Sequence, residues 1–180
     1  MRHRIGRRSM IIAAIFAICL SCLAVPTARA LDYASQLLDT YYRVQDDVLF
    51  PTETGRHYID LYYGYSNEVW QLSLAHEEIM SEAGRLLLAF EPPLHDLVEG
   101  NGSEVVVTQE MVTDVEGFLG LLVQFGSPEL RATIEFERAR AALPDLVGLT
   151  LSEAQLRLLG PPEAVPSGAP PTRVPMPSSD

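Results

Sequence analysis

Apolar and polar positions alternate at helical intervals along most of this chain. In the first such stretch, four apolar or aromatic residues take the i, i+4, i+7 and i+11 positions of an amphipathic helix: Leu37, Tyr41, Val44 and Val48. This helix is predicted to end at Phe50, because the residue before a proline is disfavoured in helical backbone. The folded part of the chain therefore begins with one amphipathic helix that stops at Pro51.

The next stretch is predicted to form two separate helices. The first covers residues 54–65 and carries four apolar or aromatic side chains on one side: Tyr58, Leu61, Tyr62 and Tyr65. Ser66 or Asn67 then caps another helix, since both residue types are favoured at helix starts. That helix carries Val69, Trp70 and Leu74.

A further helix is predicted over residues 77–90, with Pro92-Pro93 as its stop. Proline removes a helical hydrogen bond and clashes with the preceding turn, so a pair of prolines is a strong stop signal. A short helix over residues 94–99 follows, and the turn signal Gly100-Asn-Gly-Ser103 comes after it.

The carboxyl-terminal half carries three helix-start signals. Thr108 caps a helix whose buried stripe is predicted to be Met111, Val115, Phe118 and Leu122. Ser127-Pro128-Glu129 starts a helix that reaches about residue 142. Thr150 and Glu153 form a capping box that opens a last helix, which ends at about residue 159.

Together these elements predict one fold class. The only β-like run covers residues 105–107, which is too short for a sheet. No hairpin signal separates the helices. The sequence therefore predicts an all-α fold, a compact bundle of six to eight short helices over residues 31–159.

The two ends of the chain are predicted to lie outside that bundle. Residues 1–30 combine four early arginines, an apolar run over residues 10–25 and the small-x-small pattern of Ala28-Arg29-Ala30, which is typical of a signal peptide cleaved after about Ala30. The run is too short for a membrane-spanning helix, so no stable span is expected after cleavage. Residues 160–180 hold seven of the thirteen prolines and are predicted to form a disordered Pro-rich tail.

Removal of the leader changes the composition. Both cysteines, Cys19 and Cys22, lie within it, so the exported chain would have neither a disulfide nor a reactive thiol. Residues 31–180 hold 8 arginines against 24 acidic residues and no lysine, a formal charge of −16. A chain this acidic repels phosphate backbones, which argues against a nucleic-acid partner and leaves a protein or cell-envelope partner open.

Motifs for catalysis or metal binding are incomplete. His76-Glu77-Glu78 begins like a zinc-binding helix, but Met80 stands where the second histidine is needed, so no metal and no cofactor are predicted. His57 and Asp60 lie three residues apart and could meet on a helix. An enzyme of undescribed class that uses this pair, with His76 in the same cleft, is kept as the alternative to a non-catalytic protein.

All seven tyrosines lie between residues 33 and 65. Helical spacing assigns Tyr41, Tyr58, Tyr62 and Tyr65 to buried positions, which leaves three free to face a partner: Tyr33, Tyr42 and Tyr63. Tyrosine and tryptophan offer large contact areas with a polar tip. An interaction surface is therefore predicted at Arg56, His57, Tyr63 and Trp70. A structural ion pair between Asp46 and Arg56 is predicted to close the turn before the second helix.

The same region resembles a known family. Tyr42-Arg43 through Asp46-x-Val48-Leu49, then Thr54-Gly55-Arg56, then the run from Leu61 to Ser66, is similar to the helical segment that accompanies the CFI-box in exported bacterial proteins. The Cys-Phe-Ile-Ala-Thr-Ala stretch of that family is absent, so the chain would be a divergent relative. The resemblance implies export and a helical fold, and the family carries no established activity.

A second resemblance lies further along the chain. The run from Leu143 to Ala154 is similar to the opening of PASTA modules, which associate with cell-wall glycans and peptides, but the prolines replace the strands that follow there. The favoured hypothesis is an exported, soluble, non-catalytic interaction or structural module. The alternatives are the enzyme above and a fragment of a larger extracellular architecture with cell-wall association.

Overall fold

The computed structural model describes residues 28–163, and this part of the chain folds into six α-helices. They are α1 (Ala28–Arg43), α2 (Glu53–Ala75), α3 (Glu77–Val98), α4 (Gln109–Phe125), α5 (Pro128–Ala141) and α6 (Leu151–Leu159). A π-helical segment, Val44–Leu49, continues α1, and a 3-10 turn, Leu143–Leu146, precedes α6. The predicted all-α class is confirmed. Of the predicted leader, residues 1–30, the first 27 lie outside the described residues, and its last three begin α1. Of the predicted tail, residues 160–180, the part after residue 163 also lies outside them.

The two helices predicted on either side of Ser66 are in fact one continuous helix. α2 runs from Glu53 to Ala75, and Ser66 lies in its interior. The Ser66 hydroxyl donates to the Tyr63 carbonyl within the same helix, at 3.2 Å, instead of capping a new one. Serine makes such bonds inside helices as well as at their starts, so its presence alone does not mark a boundary.

The predicted stop at Pro92-Pro93 was also wrong. α3 passes through both prolines and ends at Val98, which joins the predicted short helix over residues 94–99 to it. The prolines leave the carbonyls of Leu88 and Ala89 without their helical donors, but both of these residues are exposed, so water can reach them. The later turns of α3 provide Leu94 and Leu97 to a cavity between helices, which favours continuation.

The three predicted caps in the carboxyl-terminal half are confirmed. The Thr108 hydroxyl accepts from Met111 N at 3.2 Å, and the Ser127 hydroxyl accepts from Leu130 N at 3.1 Å. Thr150 and Glu153 form the predicted capping box. Near the last of these caps, the β-like run makes an isolated bridge between Val106 and Thr150. These local contacts fix the starts of α4, α5 and α6.

Two buried clusters form the core. One joins α3, α4 and α5 and contains Ile79, Leu122, Leu130 and Ile134. The other lies between α4, the 3-10 turn and α6 and contains Val107, Val112, Leu146 and Ala154. Both clusters lie in or against the carboxyl-terminal half of the described chain. Helices α1 and α2, which carry the tyrosines, therefore pack against a core whose buried residues belong to other elements.

Polar contacts hold α1 against α3. The Tyr41 hydroxyl donates to the Leu87 carbonyl at 3.0 Å, and buried Thr40 donates to the Glu91 carboxylate at 3.4 Å. Arg43 donates to the Val98 carbonyl at 2.8 Å and pairs with Glu99. The Thr40–Glu91 bond is buried, and a hydrogen bond to a charged group contributes about 1.5–3 kcal/mol. Directional contacts thus position α1 in addition to its apolar face.

Candidate functional site

The turn between α1 and α2 is unusually tight. In the π segment, Phe50 N donates to Gln45 O at 2.9 Å, five residues back. The Thr52 hydroxyl caps α2 by accepting from Gly55 N at 2.9 Å. A side chain at Gly55 would put its first carbon 2.0 Å from the Leu49 carbonyl oxygen, so only glycine fits there. The start of α2 is therefore pressed against the end of α1.

Beyond this turn, the two helices diverge and leave an apolar cleft against α3. Its volume is about 340 Å³. We call it the tyrosine cleft, and its lining residues include Leu37, Leu38, Tyr41, Tyr42, Gln45, Leu49, Tyr58, Ile59, Tyr62 and Leu87. No charged side chain lines it. Small-molecule sites commonly combine such an apolar wall with a few polar groups.

Tyr62 shows that the cleft is open to solvent. The solvent side of α2 is an exposed stripe at three- and four-residue spacing that includes His57, Asp60, Gly64 and Asn67. At about 100° per residue, Tyr62 points away from that stripe, toward α1 and α3. It nevertheless remains 42 % exposed, and Tyr42 on α1 is 41 % exposed. The inward-pointing tyrosine rings remain accessible because the surrounding helices do not pack over them.

The cleft tyrosines affect one another electrostatically. The rings of Tyr62 and Tyr63 meet edge to face, with centroids 5.3 Å apart. Displacement of water by surrounding protein raises the pKa of Tyr62 to about 12, with smaller contributions from Tyr63 and Tyr42. Burial also raises the pKa of Tyr42, helped by Tyr63 and the nearby negative charge of Asp46. Both of these phenols are neutral donors at physiological pH.

A second apolar cavity of about 480 Å³ lies behind the cleft. Tyr41, Tyr62 and Leu87 line both cavities and form the wall between them. The bond from the Tyr41 hydroxyl to the Leu87 carbonyl, 3.0 Å long, spans this wall. Trp70 and Ser66 line the second cavity from α2. Apolar space thus extends from the cleft toward the middle of α2.

The predicted interaction surface proves to be divided. Arg56, Tyr63 and Trp70 recur at seven-residue intervals and share one face of α2. Tyr63 is half-buried and donates to the Gln45 side chain at 3.3 Å, and Trp70 faces the second cavity. His57 lies to one side of that face, with Nε2 2.8 Å from the Glu137 carboxylate. The four residues therefore do not form one exposed patch.

The ion pair predicted between Asp46 and Arg56 is replaced by other contacts. Arg56 does close the turn, but it donates to the Phe50 carbonyl at 3.1 Å and pairs with Glu163 at 2.8 Å. Asp46 is exposed, and no salt bridge among the described residues includes it. The π segment changes the direction in which its side chains point, and ordinary helical spacing does not anticipate this.

The histidines needed for the enzymatic alternative do not share a cleft. His57 and Asp60 both lie on the exposed stripe of α2, and His57 contacts Glu137 of α5. His76 caps the other end of α2, roughly 28 Å along the helix axis, and stacks on Phe125 with ring centroids 3.9 Å apart. Within residues 28–163, no group of three or more His, Cys, Asp or Glu side chains could hold a metal ion.

The assignment of buried and exposed tyrosines was correct in part. Tyr33 and Tyr42 are exposed as predicted, and Tyr41, Tyr58 and Tyr65 are half-buried. The predictions for Tyr62 and Tyr63 are reversed: Tyr62, predicted buried, is exposed in the cleft, and Tyr63, predicted exposed, packs against Gln45. The density of tyrosines was a usable signal for this site. Helical periodicity alone could not reveal that the helices facing Tyr62 leave its ring accessible.

No family model, curated protein or solved structure matched the chain when each was searched. The resemblance to the CFI-box-associated segment stays a prediction. The structure does give physical reasons for two residues on which that resemblance rests. Gly55 permits the close contact with Leu49, and Arg56 holds the turn between α1 and α2. Among the described residues, no helix is long and apolar enough to cross a membrane.

Proposed function

We propose that this chain is an exported, non-catalytic binding module that holds an uncharged apolar group in the tyrosine cleft. The observation that carries the proposal is Tyr62, which points inward from α2 and is still 42 % exposed. Monomeric proteins rarely leave apolar space of this kind open without a use for it. The export signal and the family resemblance in the sequence support the compartment.

The chemistry of the lining indicates the class of ligand. Aliphatic side chains and tyrosine rings favour an aliphatic or aromatic group, and neutral phenols can donate to an acceptor on it. The cleft has no cation to pair with an anion. Exposed Asp39, Asp46 and Asp47 lie on the α1 side and oppose negatively charged ligands. A neutral or cationic ligand with an apolar body therefore fits best.

The proposal is tested by titration with an uncharged apolar probe, N-phenylnaphthylamine, whose fluorescence increases when it leaves water. We expect saturable binding to the parent chain. Leu38→Asp places a charge in the cleft and should weaken probe binding at least about tenfold, since a buried unpaired charge costs well over the 1.4 kcal/mol that this factor represents.

The matched control is Leu156→Asp, because Leu156 is exposed on α6 and lines none of the cavities described above. It should bind the probe as the parent does. Equal binding by the parent and both variants, with helix content retained, would locate the probe elsewhere and overturn the proposal. So would the absence of any saturable binding to the parent.

A further inference from the structure

The described chain ends at the closed end of the tyrosine cleft. After α6, Glu163 N donates to the Pro51 carbonyl at 3.0 Å, in the turn between α1 and α2. The Glu163 carboxylate pairs with Arg56 at 2.8 Å. The first residues of the predicted tail are therefore held against this turn, and residues 164–180 continue from there.

The anchoring point lies near the binding region along α2. Tyr62 is six residues beyond Arg56, which is about 9 Å along the helix axis and about 120° around it. A chain that leaves Arg56 and follows α2 reaches the exposed tyrosines within a few residues. At about 3.1 Å per residue, the 17 residues after Glu163 could span about 53 Å, which exceeds the length of α2.

The composition of these 17 residues suits an aromatic groove that has an exposed acidic residue beside it. Five of them are prolines: Pro166, Pro170, Pro171, Pro175 and Pro177. Proline-rich segments dock in aromatic-lined grooves, because their extended conformation loses little entropy on binding. Arg173 is the only basic residue among them. Exposed Asp46 lies in the π segment beside the cleft and has no ion-pair partner among the described residues.

We propose that residues 164–180 fold back into the tyrosine cleft, with their prolines against the exposed faces of Tyr42 and Tyr62 and Arg173 beside Asp46. The inference rests on the proposed function in one respect, since it gives the same cleft an occupant from the chain itself. A tethered segment acts at a high effective concentration, so even a weak contact fills the cleft. An external ligand must then displace the tail, and its apparent affinity falls by the fraction of open molecules.

Energy transfer from Trp70 to a tail label tests the docking. Trp70 is the single tryptophan, and Cys19 and Cys22 are the only cysteines. With both cysteines changed to serine, Ser178→Cys accepts one dansyl group on the full chain. The reference is a full-length variant in which the five tail prolines are serine and Arg173 is glutamate. We expect stronger transfer in the parent than in the reference.

Substitution of single charges sharpens the result. Arg173→Glu should lower energy transfer to the reference value, whereas Arg173→Lys should keep the parent value. Asp46→Asn, which removes the proposed partner charge of Arg173, should also lower the transfer. Equal transfer in the parent and the reference would overturn the inference. So would transfer that rises with protein concentration, because the occupant would then be the tail of a second copy.

A probe titration separates this inference from the proposed function. The reference variant should bind N-phenylnaphthylamine about tenfold more tightly than the parent if the tail fills about nine tenths of the clefts. Equal affinities together with equal transfer would refute the tail and leave the binding cleft standing. Strong transfer in the parent without probe binding by either chain would instead refute the proposed ligand class while the tail contact held.

Discussion

Around α4, α5 and α6, three capped helix starts and two buried clusters define what we call the capped region. Between α1 and α2, the same chain leaves an apolar cleft lined by the exposed rings of Tyr42 and Tyr62. The cleft region instead has a π segment, a glycine pressed against backbone and inward tyrosines that remain accessible. The difference teaches that the buried clusters and the accessible tyrosines lie in separate parts of this bundle.

The largest effect is expected where the cleft region is tied together, at Gly55. Gly55→Ala would put a carbon 2.0 Å from the Leu49 carbonyl oxygen. Since backbone must move, the free energy of unfolding should fall by about 3 kcal/mol or more. Gly64→Ala on the same helix meets nothing within 4 Å and should raise it by about 0.5–1 kcal/mol. Urea denaturation measures both, and equal effects would contradict the close contact.

A comparison of two leucines tests the contrast between the regions directly. Leu130 is 3 % exposed in the α3–α4–α5 cluster, and Leu130→Ala should cost about 3 kcal/mol. Leu38 lines the open cleft, and Leu38→Ala should cost only about 1 kcal/mol, since part of its surface already meets solvent. Thermal and urea unfolding give both values. Similar losses would show that the cleft is closed in solution.

Helix caps give the next smaller effect. Thr108→Ala removes the hydroxyl that accepts from Met111 N and should cost about 1 kcal/mol. Ser66→Ala should change stability by no more than about 0.5 kcal/mol, because Ser66 lies inside α2 and caps nothing. A Ser66→Ala loss as large as that of Thr108→Ala would mean that α2 is broken at residue 66 after all.

The smallest effect concerns the titration of the cleft tyrosines. The pKa of Tyr62 is raised to about 12, above the ordinary value of 10.0, so the folded state keeps the proton that the unfolded state loses. Stability from this source is complete below pH 10 and declines as pH rises from about 10 to about 12. Near-ultraviolet absorbance should show a late phenolate step that Tyr62→Phe removes. Its persistence in that variant would assign the step to another tyrosine.

Local signals made the capped region predictable from sequence. Thr108, Ser127 and Thr150 each satisfy an amide within a few residues, so the information that starts each helix lies beside the start. The same reasoning failed at Ser66 and at Pro92-Pro93. At those positions packing across helices outweighs the local preference, and a single sequence does not record what packs against a turn.

The cleft could be predicted only as a concentration of tyrosines. Periodicity correctly placed Tyr62 on the inner side of α2, but the accessibility of that side depends on how far α1 stands away. That separation follows from the π segment and from the contacts of Tyr41 and Arg43 with α3, which join residues 46 to 56 positions apart. The predicted Asp46–Arg56 pair was wrong for a similar reason, since Arg56 pairs with Glu163, which is 107 positions away in the sequence.

The central claim is that the tyrosine cleft receives an apolar ligand while the capped region stays unchanged. Amide hydrogen exchange with and without N-phenylnaphthylamine tests it most directly, in the variant whose five tail prolines are serine and whose Arg173 is glutamate, because the tail does not compete for the cleft there. We predict that the probe slows exchange in α1, the π segment and the part of α2 around Tyr62, and leaves the rates in α5 and α6 as they were. Slower exchange confined to α5 and α6, or no change in α1, would contradict the account.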